Sequence, residues 1–326
     1  MTKKKVLLSR IFPKLATQLL EEAGFEVIAW DKENPMPYTE MITVAKECDA
    51  LFCTLTDKID ANFLNACSHL DIITQFAVGY DNIDIDEATK LRIPIGYAPN
   101  AMNEATADIA FGLMIATARK MFFMNQKIKD GKWGSFDPVG HLGLELKGKT
   151  LGILGLGRIG MSMAQRCKGA YNMDILYHNR SQNKKAEEAL DAKRVDFETL
   201  VSQSDVISVH CALTPDTKGI FNKSVFDKMK STALFINTAR GGIHNEEDLI
   251  NAIQNGSIWG AGLDVTNPEP MHPNNPLLNM ENVCVLPHIG SATVTARNEM
   301  ALMGATNIIS FYKERRVPFI VNSEVL

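Results

Sequence analysis

The sequence predicts an α/β protein with two domains, each built around a doubly wound parallel sheet. Short apolar strands alternate with amphipathic helical segments along almost the whole chain, which is the pattern of successive βαβ units. A glycine-rich turn between a strand and a helix lies near the middle of the chain rather than near its start. With 326 residues, of which 45% are hydrophobic, the chain can bury a large core in two domains.

The first α/β segment precedes this turn. Amphipathic helices are predicted at Pro13–Ala23, Tyr38–Lys46 and Ala61–Ala66, because their apolar residues recur with helical spacing. Short runs of apolar residues between the helices predict buried strands. These strands are Lys5–Leu8, Glu26–Ala29, Ala50–Cys53, Ile72–Phe76 and Ile95–Gly96.

A long helical pattern, Glu104–Gly131, follows, and its many small residues suit close packing of one helix that connects the domains. The second α/β segment begins with the glycine-rich turn, and a closing helix, Thr293–Lys313, is expected to return to the first domain. Further strands of this segment are predicted near Ala192–Val195, Val206–His210, Ala233–Ile236, Ile258–Asp264 and Val283–Leu286.

The glycine-rich turn predicts a dinucleotide site. Gly155, Gly157 and Gly160 form a G-x-G-x-x-G pattern between the apolar strand Thr150–Leu154 and a helical pattern. Glycines at these positions allow a tight turn, a close approach of the backbone to a pyrophosphate, and close packing of the helix on the sheet. The helix amino terminus then supplies amide donors to the phosphates.

The end of the next strand favours NADP over NAD. NAD-binding domains of this type usually place Asp or Glu there, where the carboxylate holds the ribose 2′-hydroxyl. This chain has Asn179, Arg180 and Ser181 instead. Arg180 can pair with a 2′-phosphate through two parallel hydrogen bonds, and Ser181 can add a donor. In the alternative interpretation Arg180 is a solvated loop cation, and NADH is used through the diphosphate contacts alone.

Composition excludes several classes of partner. The formal net charge is −4, which gives no basic surface for nucleic acid or for an anionic membrane. No apolar run approaches the roughly 18 residues needed to span a bilayer, and the amino terminus does not resemble a signal peptide. We therefore expect a cytoplasmic protein. The 6 cysteines are scattered without a C-x-x-C pair, which indicates reduced thiols and no metal site.

Three polar residues each follow a predicted strand of the second segment. Arg240 lies in FINTARGG, Glu269 in GLDVTNPEP and His288 in VLPHIGSAT. The carboxyl ends of parallel strands meet at the edge of the sheet that faces the ligand crevice, so we expect these side chains to lie close together. Taken singly, each has an ordinary structural interpretation as a surface charge, a solvated turn residue or a helix cap.

Together the three groups suit the reduction of a 2-oxo acid by hydride from a nicotinamide. Arg240 can hold the substrate carboxylate and carbonyl oxygen with its planar guanidinium. His288 can donate a proton to the developing alkoxide, and in the reverse direction its neutral ring can accept one. Glu269 can hydrogen-bond the ring, fix its tautomer and favour its charged form. The cofactor carries the hydride.

These motifs resemble those of the D-isomer-specific 2-hydroxyacid dehydrogenases, and the resemblance covers nearly the whole chain. Within that family they are most similar to the glyoxylate/hydroxypyruvate reductase branch, near the bacterial 2-ketogluconate reductases. The motifs are GLGRIG at Gly155–Gly160, NTARGG at Asn237–Gly242, GLDVTNPEP at Gly262–Pro270, PHIGSAT at Pro287–Thr293, FAVGYDNID at Phe76–Asp84 and HCALTPDTKG at His210–Gly219.

The resemblance implies a Rossmann nucleotide domain, residues 101–288, inserted into a flavodoxin-like substrate domain that consists of residues 1–100 and 289–326. It implies that Arg240, Glu269 and His288 are the catalytic residues. It also implies that the backbone of Val78 and Gly79 holds the substrate carboxylate and that Leu55 lines the substrate pocket. It further implies contacts to the cofactor. Besides the glycines and the segment Asn179–Ser181, these are Thr106, Arg158, Ile159, Cys211, Leu213, Thr217, Thr238, Arg240, Asp264, His288 and Gly290.

The same resemblance implies a cleft between the domains, with hinge candidates near Pro99-Asn100 and Pro287–Gly290, whose closure would exclude water from the hydride path. Members of the family are usually homodimers that pair through the nucleotide domain. Trp133 and Phe136, in the segment Lys132–Leu146, are candidates for that contact. The alternative for both aromatic side chains is burial within one subunit.

The activity implied is NADPH-preferring reduction of a small 2-oxo acid, namely glyoxylate, hydroxypyruvate or 2-ketogluconate, with NADH as a second cofactor. The alternative is a catalytically silent, NAD(P)-sensing protein of the corepressor type. A formate dehydrogenase is disfavoured because it has Gln where Glu269 stands. A phosphoglycerate dehydrogenase is disfavoured because we expect no regulatory domain after Leu326 and because the acidic NAD discriminator is missing. An L-lactate-type enzyme would have its glycine motif near the amino terminus.

Overall fold

A computed structural model describes residues 3–326. The chain forms two compact units. The first contains the residues up to Met102 together with Ala292–Leu326, and the second contains Asn103–Ser291. The boundaries expected from the sequence, after residues 100 and 288, differ from these by two and three residues. The second boundary lies later because the backbone after His288 is hydrogen-bonded to Asp264 of the second unit.

The first unit is built around a five-stranded sheet. It contains β1 (Lys5–Leu8), β2 (Glu26–Ala29), β3 (Ala50–Cys53), β4 (Ile72–Gln75) and β5 (Ile95–Gly96). All neighbouring strands are parallel, in the order β2-β1-β3-β4-β5, which is the flavodoxin-like order. The residues of β3 and β4 are fully buried, as expected for parallel strands covered by helices on both faces.

Four short helices connect these strands, and the closing helix of the chain belongs to the same unit. Asp60 and Asp84 cap two of the four by accepting hydrogen bonds from the amides of Phe63 and Glu87, each at 3.0 Å. The four helices are α1 (Lys14–Glu22), α2 (Tyr38–Ala45), α3 (Ala61–Ala66) and α4 (Ile85–Lys90).

The second unit is built around a seven-stranded parallel sheet. Its strands are β6 (Thr150–Leu154), β7 (Asp174–His178), β8 (Lys193–Arg194), β9 (Val206–Val209), β10 (Leu234–Asn237), β11 (Gly260–Leu263) and β12 (Val283–Val285). They lie in the order β12-β11-β10-β9-β6-β7-β8, so the order reverses between β6 and β9. Ligands of open α/β sheets bind outside the carboxyl ends of the strands at such a reversal. The predicted fold class, with two parallel sheets, is confirmed.

Helices cover both faces of this sheet. They are α5 (Asn103–Ala118), α6 (Met121–Lys129), α7 (Arg158–Tyr171), α8 (Lys184–Leu190), α9 (Phe197–Gln203), α10 (Lys223–Phe226) and α11 (Glu246–Gln254). The closing helix of the chain, α12 (Val294–Glu314), belongs to the first unit. Short 3₁₀ turns lie at Gly241–Ile243 and Pro276–Asn279 in the second unit and at Ser323–Val325 in the first unit.

The prediction of one long helix over Glu104–Gly131 is wrong, because α5 and α6 are separate. Lys120, between them, has φ +54°, in the left-handed region that ends a helix. The Ala118 carbonyl oxygen also accepts a hydrogen bond from the Leu144 amide at 2.9 Å. The chain beyond α6 therefore packs back on the end of α5 and takes over an acceptor from the helix.

Residues 3–326 contain neither a membrane-spanning helix nor a cluster of metal ligands. No helix in this range combines the length and the apolar character that a bilayer crossing requires. No group of three or more His, Cys, Asp and Glu side chains in this range could hold a metal ion. The cysteines are free thiols, and burial raises the pKa of the Cys167 thiol to about 12, so this thiol stays protonated at neutral pH.

Candidate active site

His288 and Glu269 form the centre of the candidate site in the second unit. His288 Nδ1 lies 2.5 Å from Glu269 Oε1. Because a carboxylate can only accept a hydrogen bond, Nδ1 carries the hydrogen and donates it. Nε2 is then the ring nitrogen that can exchange a proton with a ligand. The His288 side chain is 22% exposed, so a small molecule can reach it.

The backbone of His288 is held in an uncommon conformation by Asp264. The φ angle of His288 is +54°, a sparsely populated value for a residue with a Cβ. Asp264 directly follows β11, and its two carboxylate oxygens accept hydrogen bonds from the amides of Ile289 and Gly290, each at 2.7 Å. Burial raises the pKa of Asp264, and the two amide hydrogen bonds oppose this rise. Asp264 thereby fixes the loop that presents the His288 ring.

Thr106, in α5, belongs to the same cluster. Its hydroxyl donates a hydrogen bond to the Gly290 carbonyl oxygen at 3.2 Å. A Cβ on Gly290 would lie 2.9 Å from Asp264 Oδ2 and 3.3 Å from the Thr106 methyl group, so a larger residue would push the loop away from both. Thr106 therefore ties α5 to the loop after His288, and a contact to cofactor would have to use its hydroxyl oxygen as an acceptor.

Arg240 follows β10 on a turn that is shaped by Asn237. The Asn237 amide nitrogen donates to the Arg240 carbonyl oxygen at 2.9 Å and lies 3.1 Å from His244 Nδ1. Its amide oxygen accepts from the Ala239 amide at 3.0 Å. The Arg240 guanidinium also donates to the Ala239 carbonyl oxygen at 2.8 Å. One buried side chain thus closes the turn that carries the arginine.

Gly241 brings the turn of Arg240 against the loop that leads to Glu269. A Cβ on Gly241 would overlap the carbonyl oxygen of Thr266, and this neighbour is backbone that cannot rotate away. Only glycine allows so close an approach at this point. The arginine and the carboxylate therefore lie on two backbone segments in direct contact.

The glycine-rich turn has the geometry that a pyrophosphate needs. Gly155 has φ +92°, and a Cβ on it would lie 2.6 Å from the backbone nitrogen of Cys211. A Cβ on Gly160 would lie 2.8 Å from the Gly155 carbonyl oxygen, whereas the space beside Gly157 is open. Helix α7 begins at Arg158, directly after Gly157, which has no side chain to cap it. Its first amides are therefore available to phosphate oxygens, and the turn fits a dinucleotide.

Asn179, directly after β7, is tied to this turn. Its amide oxygen accepts from the Leu156 amide at 2.6 Å, and its amide nitrogen donates to the Leu156 carbonyl oxygen at 3.2 Å. Aspartate could make only the first of these bonds. The Arg194 guanidinium donates to the carbonyl oxygens of Asn179 and Arg180 at 3.0 and 2.8 Å. The exposed side chains of Arg180 and Ser181 thus extend from a loop that is fixed on two sides.

The nucleotide-binding part of the chain matches a known family. Residues 111–290 match the model of the family described as D-isomer specific 2-hydroxyacid dehydrogenase, NAD binding domain. The chain belongs to the D-isomer-specific 2-hydroxyacid dehydrogenase family. The resemblance stated from the motifs is thereby confirmed.

Other members of this dehydrogenase family are similar along their whole length. The glyoxylate reductase of Thermococcus litoralis is 42% identical over 328 residues, which cover 99% of this chain and 98% of that protein. The glyoxylate reductase/hydroxypyruvate reductase of Mus musculus is 39% identical over 301 residues, 92% of each chain. The NADPH-dependent glyoxylate/hydroxypyruvate reductase of Sinorhizobium meliloti, solved with NADP and malonate, has a TM-score of 0.85 at 29% identity, covering 98% of this chain and 97% of that one.

The remaining cofactor residues implied by the dehydrogenase family lie in different environments. The Thr217 hydroxyl donates to the Ala212 carbonyl oxygen at 2.7 Å and accepts from the Thr214 amide at 2.8 Å, so it already closes a turn. Thr238 is buried, and its hydroxyl has no hydrogen-bond partner in the described chain. An unsatisfied buried hydroxyl fits a ligand contact. Ile159, on the first turn of α7, and Leu213, beside Gly242, are half-buried.

The three substrate residues implied by the dehydrogenase family belong to the first unit. Leu55 follows β3, Val78 and Gly79 follow β4, and all three are half-buried. Both loops therefore lie at the carboxyl edge of their sheet, where the fold rule places ligand contacts. Their role in substrate binding stays a prediction.

Sequence reasoning missed several residues that support the site. They are Asn237, which closes the turn of Arg240, Arg194, which fixes the loop after β7, and Glu246. The Glu246 carboxylate accepts from the Asn267 amide at 3.1 Å and from the Asn275 side chain at 2.6 Å, and so fixes the loop before Glu269. Asn237 stands inside the quoted motif NTARGG and could have been found there. The other two gave no sequence signal, because their partners are distant in the chain.

The buried His244 predicts that stability falls in mild acid. Burial lowers its pKa from 6.5 to about 4, so between these values the unfolded chain binds a proton that the folded chain does not. The free energy of unfolding should therefore decrease as the pH falls through this window, by about 1 kcal/mol between about pH 7.5 and about pH 5.5 from His244 alone. Urea unfolding at the two pH values measures the decrease. In His244→Gln this decrease in the free energy of unfolding should be smaller by about 1 kcal/mol. The control His272→Gln, at an exposed histidine, should show the full decrease. A full decrease in His244→Gln would contradict the assignment of the effect to His244.

Proposed function

We propose that this protein reduces a small 2-oxo acid to the D-2-hydroxy acid with NADPH. The observation that supports this proposal is the 2.5 Å contact between His288 and Glu269. The loop that leads to Glu269 also packs directly against the turn that carries Arg240. The three residues supply a proton donor, a carboxylate that orients it and a cation for the substrate. The named activities of the relatives support glyoxylate and hydroxypyruvate as substrates, and 2-ketogluconate stays a third candidate from the sequence resemblance.

In the proposed mechanism Arg240 binds the substrate carboxylate and carbonyl oxygen through its planar guanidinium. His288 donates the proton on Nε2 to the carbonyl oxygen as charge develops there. Glu269 holds Nδ1, which keeps the ring in one orientation and stabilises its positive charge before the transfer. The nicotinamide, when bound, supplies the hydride. Neutral His288 accepts the proton in the reverse direction.

The residues proposed to hold the cofactor bind either its pyrophosphate or its other polar groups. The glycine-rich turn and the start of α7 would bind the pyrophosphate, and Thr238 would use its unsatisfied hydroxyl. Asp264 is also proposed to orient the nicotinamide amide. Because both of its oxygens already accept backbone amides, this contact would use a second lone pair.

Arg180 is proposed to select NADPH. We expect Arg180→Gln to raise the KM for NADPH by about 10 to 100-fold, the range for losing hydrogen bonds between a cation and a phosphate, and to leave the KM for NADH within about twofold. Steady-state rates with each cofactor at saturating glyoxylate measure both values. The matched control is Lys185→Gln, which removes an exposed cation from the first turn of α8. It should change neither KM strongly. A wild-type protein that oxidises NADH as well as NADPH would contradict the proposal.

One panel of assays tests the activity itself. Purified protein is given glyoxylate, hydroxypyruvate or 2-ketogluconate with NADPH or NADH, and cofactor oxidation is followed by absorbance. Turnover of glyoxylate or hydroxypyruvate with NADPH is the expected result. Absence of turnover with every pair, combined with measurable NADPH binding, would favour the alternative of a catalytically silent, NAD(P)-sensing protein.

A homodimer is proposed for the assembly. Trp133 and Phe136 are 77% and 90% exposed, so the alternative that they are buried within one subunit is wrong. Val139 and Leu142, further along the same segment, are also exposed. A row of exposed large apolar side chains is typical of a protein interface. The hinge segments and the cytoplasmic location stay predictions from the sequence.

A further inference from the structure

A buried polar network connects two loops of the first unit. Gln75, the last residue of β4, is fully buried. Its amide oxygen accepts from the Cys53 thiol at 3.2 Å, and its amide nitrogen donates to the Gly79 carbonyl oxygen at 3.1 Å and to the Asn82 side-chain oxygen at 2.7 Å. Both N–H groups of Gln75 are therefore used within the loop that follows its own strand.

Asn82 continues the network to the loop after β3. Its side-chain nitrogen donates to the carbonyl oxygens of Thr54 and Asp57, at 3.1 and 2.8 Å, while its oxygen accepts from Gln75. Only an amide of this size can donate twice and accept once here. The loop after β4 is thus bonded directly to the backbone of the loop after β3.

Asp57 completes the network from the other side. It is 4% exposed, and one of its carboxylate oxygens accepts from the Thr54 amide at 2.7 Å, from the Thr54 hydroxyl at 3.1 Å and from the Ser9 hydroxyl. A buried carboxylate is costly unless hydrogen bonds satisfy it, and a satisfied network makes its surroundings rigid. Asp57 therefore closes the Thr54–Asp57 turn, which includes Leu55.

The two connected loops carry the residues implied to bind substrate. Leu55 lies between Thr54 and Asp57, and Val78 and Gly79 lie between Gln75 and Asn82. The C=O and N–H groups of a trans peptide point in opposite directions. When Gln75 binds the Gly79 carbonyl oxygen, the Tyr80 amide of the same peptide is turned away from the network. The backbone of Val78 and Gly79, which precedes this peptide, is thereby held in one orientation, in which an amide can face an anion.

We propose that Gln75, Asn82 and Asp57 are positioning residues for the 2-oxo acid: they hold the loops of Leu55 and of Val78 and Gly79 in one arrangement, so that the substrate carboxylate meets oriented amides. The inference rests on the proposed function. It assigns the network to substrate binding rather than to proton transfer or to cofactor binding. Loosening the loops should therefore raise the KM for substrate while the chemical step in the bound complex keeps its rate.

The test is Asn82→Ala in the full-length protein. We expect the KM for glyoxylate to rise about tenfold and kcat to stay within about twofold, because the lost interaction acts on bound substrate and transition state alike. The dissociation constant for NADPH, measured by fluorescence titration, should stay unchanged. A KM within about twofold of wild type would overturn the proposal.

Asn322→Ala is the matched control. Asn322 is buried in the first unit, whereas Asn82 is half-buried. Like Asn82, it uses its side chain for one accepted and two donated hydrogen bonds, from the Ile95 amide and to Thr89 Oγ1 and the Ile93 carbonyl oxygen, and none of these reaches the loops after β3 and β4. Because Asn322 is the more deeply buried of the two, we expect Asn322→Ala to lower the melting temperature at least as much as Asn82→Ala and to leave the KM for glyoxylate unchanged. An equal rise in KM would mean that the effect is general destabilisation, and would overturn the proposal.

A second variant covers the case that Asn82→Ala does not fold. Gln75→Met keeps the volume of the side chain and removes both donors, so it frees the Gly79 carbonyl without opening a cavity. The same KM criterion applies to it. Failure of the proposed function is recognised separately, because then the wild-type protein itself turns over no 2-oxo acid, whereas failure of this inference leaves an active wild type with variants of unchanged KM.

Discussion

Replacing His288 by alanine should lower kcat for glyoxylate reduction by about two to four powers of ten, the usual contribution of a positioned general acid. His288 is the residue whose Nε2 is free to transfer a proton, because Glu269 engages Nδ1 at 2.5 Å. Stopped-flow or steady-state oxidation of NADPH measures the loss. The dissociation constant for NADPH should change little, since the ring acts on the substrate oxygen.

The backbone of His288 requires a second variant. At φ +54°, alanine is strained, whereas asparagine tolerates the left-handed region better than most residues. His288→Asn should therefore keep the loop and still lose the activity, which separates the proton transfer from the conformation of the loop. His272→Ala, at an exposed histidine of the same unit, should retain wild-type kcat. A loss below about tenfold in His288→Asn would return His288 to a structural role.

Replacing Arg240 by lysine should be nearly as harmful as replacing it by alanine. An ammonium keeps the charge but cannot form two parallel hydrogen bonds to a carboxylate, so we expect kcat/KM for glyoxylate to fall by about two to three powers of ten in both variants. The turn should survive, because Asn237 binds the Arg240 carbonyl oxygen rather than its side chain.

The matched control for Arg240→Lys is Arg119→Lys, at an exposed arginine of the second unit. This control should keep its kcat/KM. Circular dichroism and melting temperature of Arg240→Lys should stay close to wild type, which makes the kinetic loss a local effect. Near-normal activity in Arg240→Lys would show that charge alone suffices and would remove the bidentate contact from the mechanism.

The position of the candidate site could be predicted because it depends on strand ends. Arg240, Glu269 and His288 are far apart in the sequence, but each follows an apolar run that had to be a buried strand. In a parallel sheet all such ends lie on one edge. Periodicity and a general fold rule are therefore enough to predict that these residues lie at one edge of the sheet. The direct contact between His288 and Glu269 is an addition from the structure.

The supporting residues could not be predicted in this way. Arg194 was part of a predicted strand, yet its guanidinium binds the carbonyl oxygens of the loop at Asn179 and Arg180. Glu246 is one of three acidic residues in the first turn of α11, and nothing in the sequence distinguishes it from the other two. Yet it fixes the loop before Glu269. Such contacts depend on side-chain directions across elements, and no local pattern in the sequence records them.

The break between α5 and α6 shows the same limit. Residues 104–131 have a continuous helical pattern, and local propensity favours one helix there. The helix ends because the chain returns and Leu144 takes the Ala118 carbonyl oxygen. That contact is tertiary. It outweighs the helix propensity, which is worth roughly a few tenths of a kcal/mol per residue.

The sequence by itself determined the fold class, the glycine-rich turn and the residues that meet at the strand ends, because hydrophobic periodicity and glycine positions act locally. Tertiary structure alone decided how those residues are held. Asp264 fixes the loop of His288, Asn237 fixes the turn of Arg240, and a buried network joins the loops after β3 and β4. Each of these is a buried polar group whose hydrogen bonds must be satisfied, and its partner can be known only once the chain is folded.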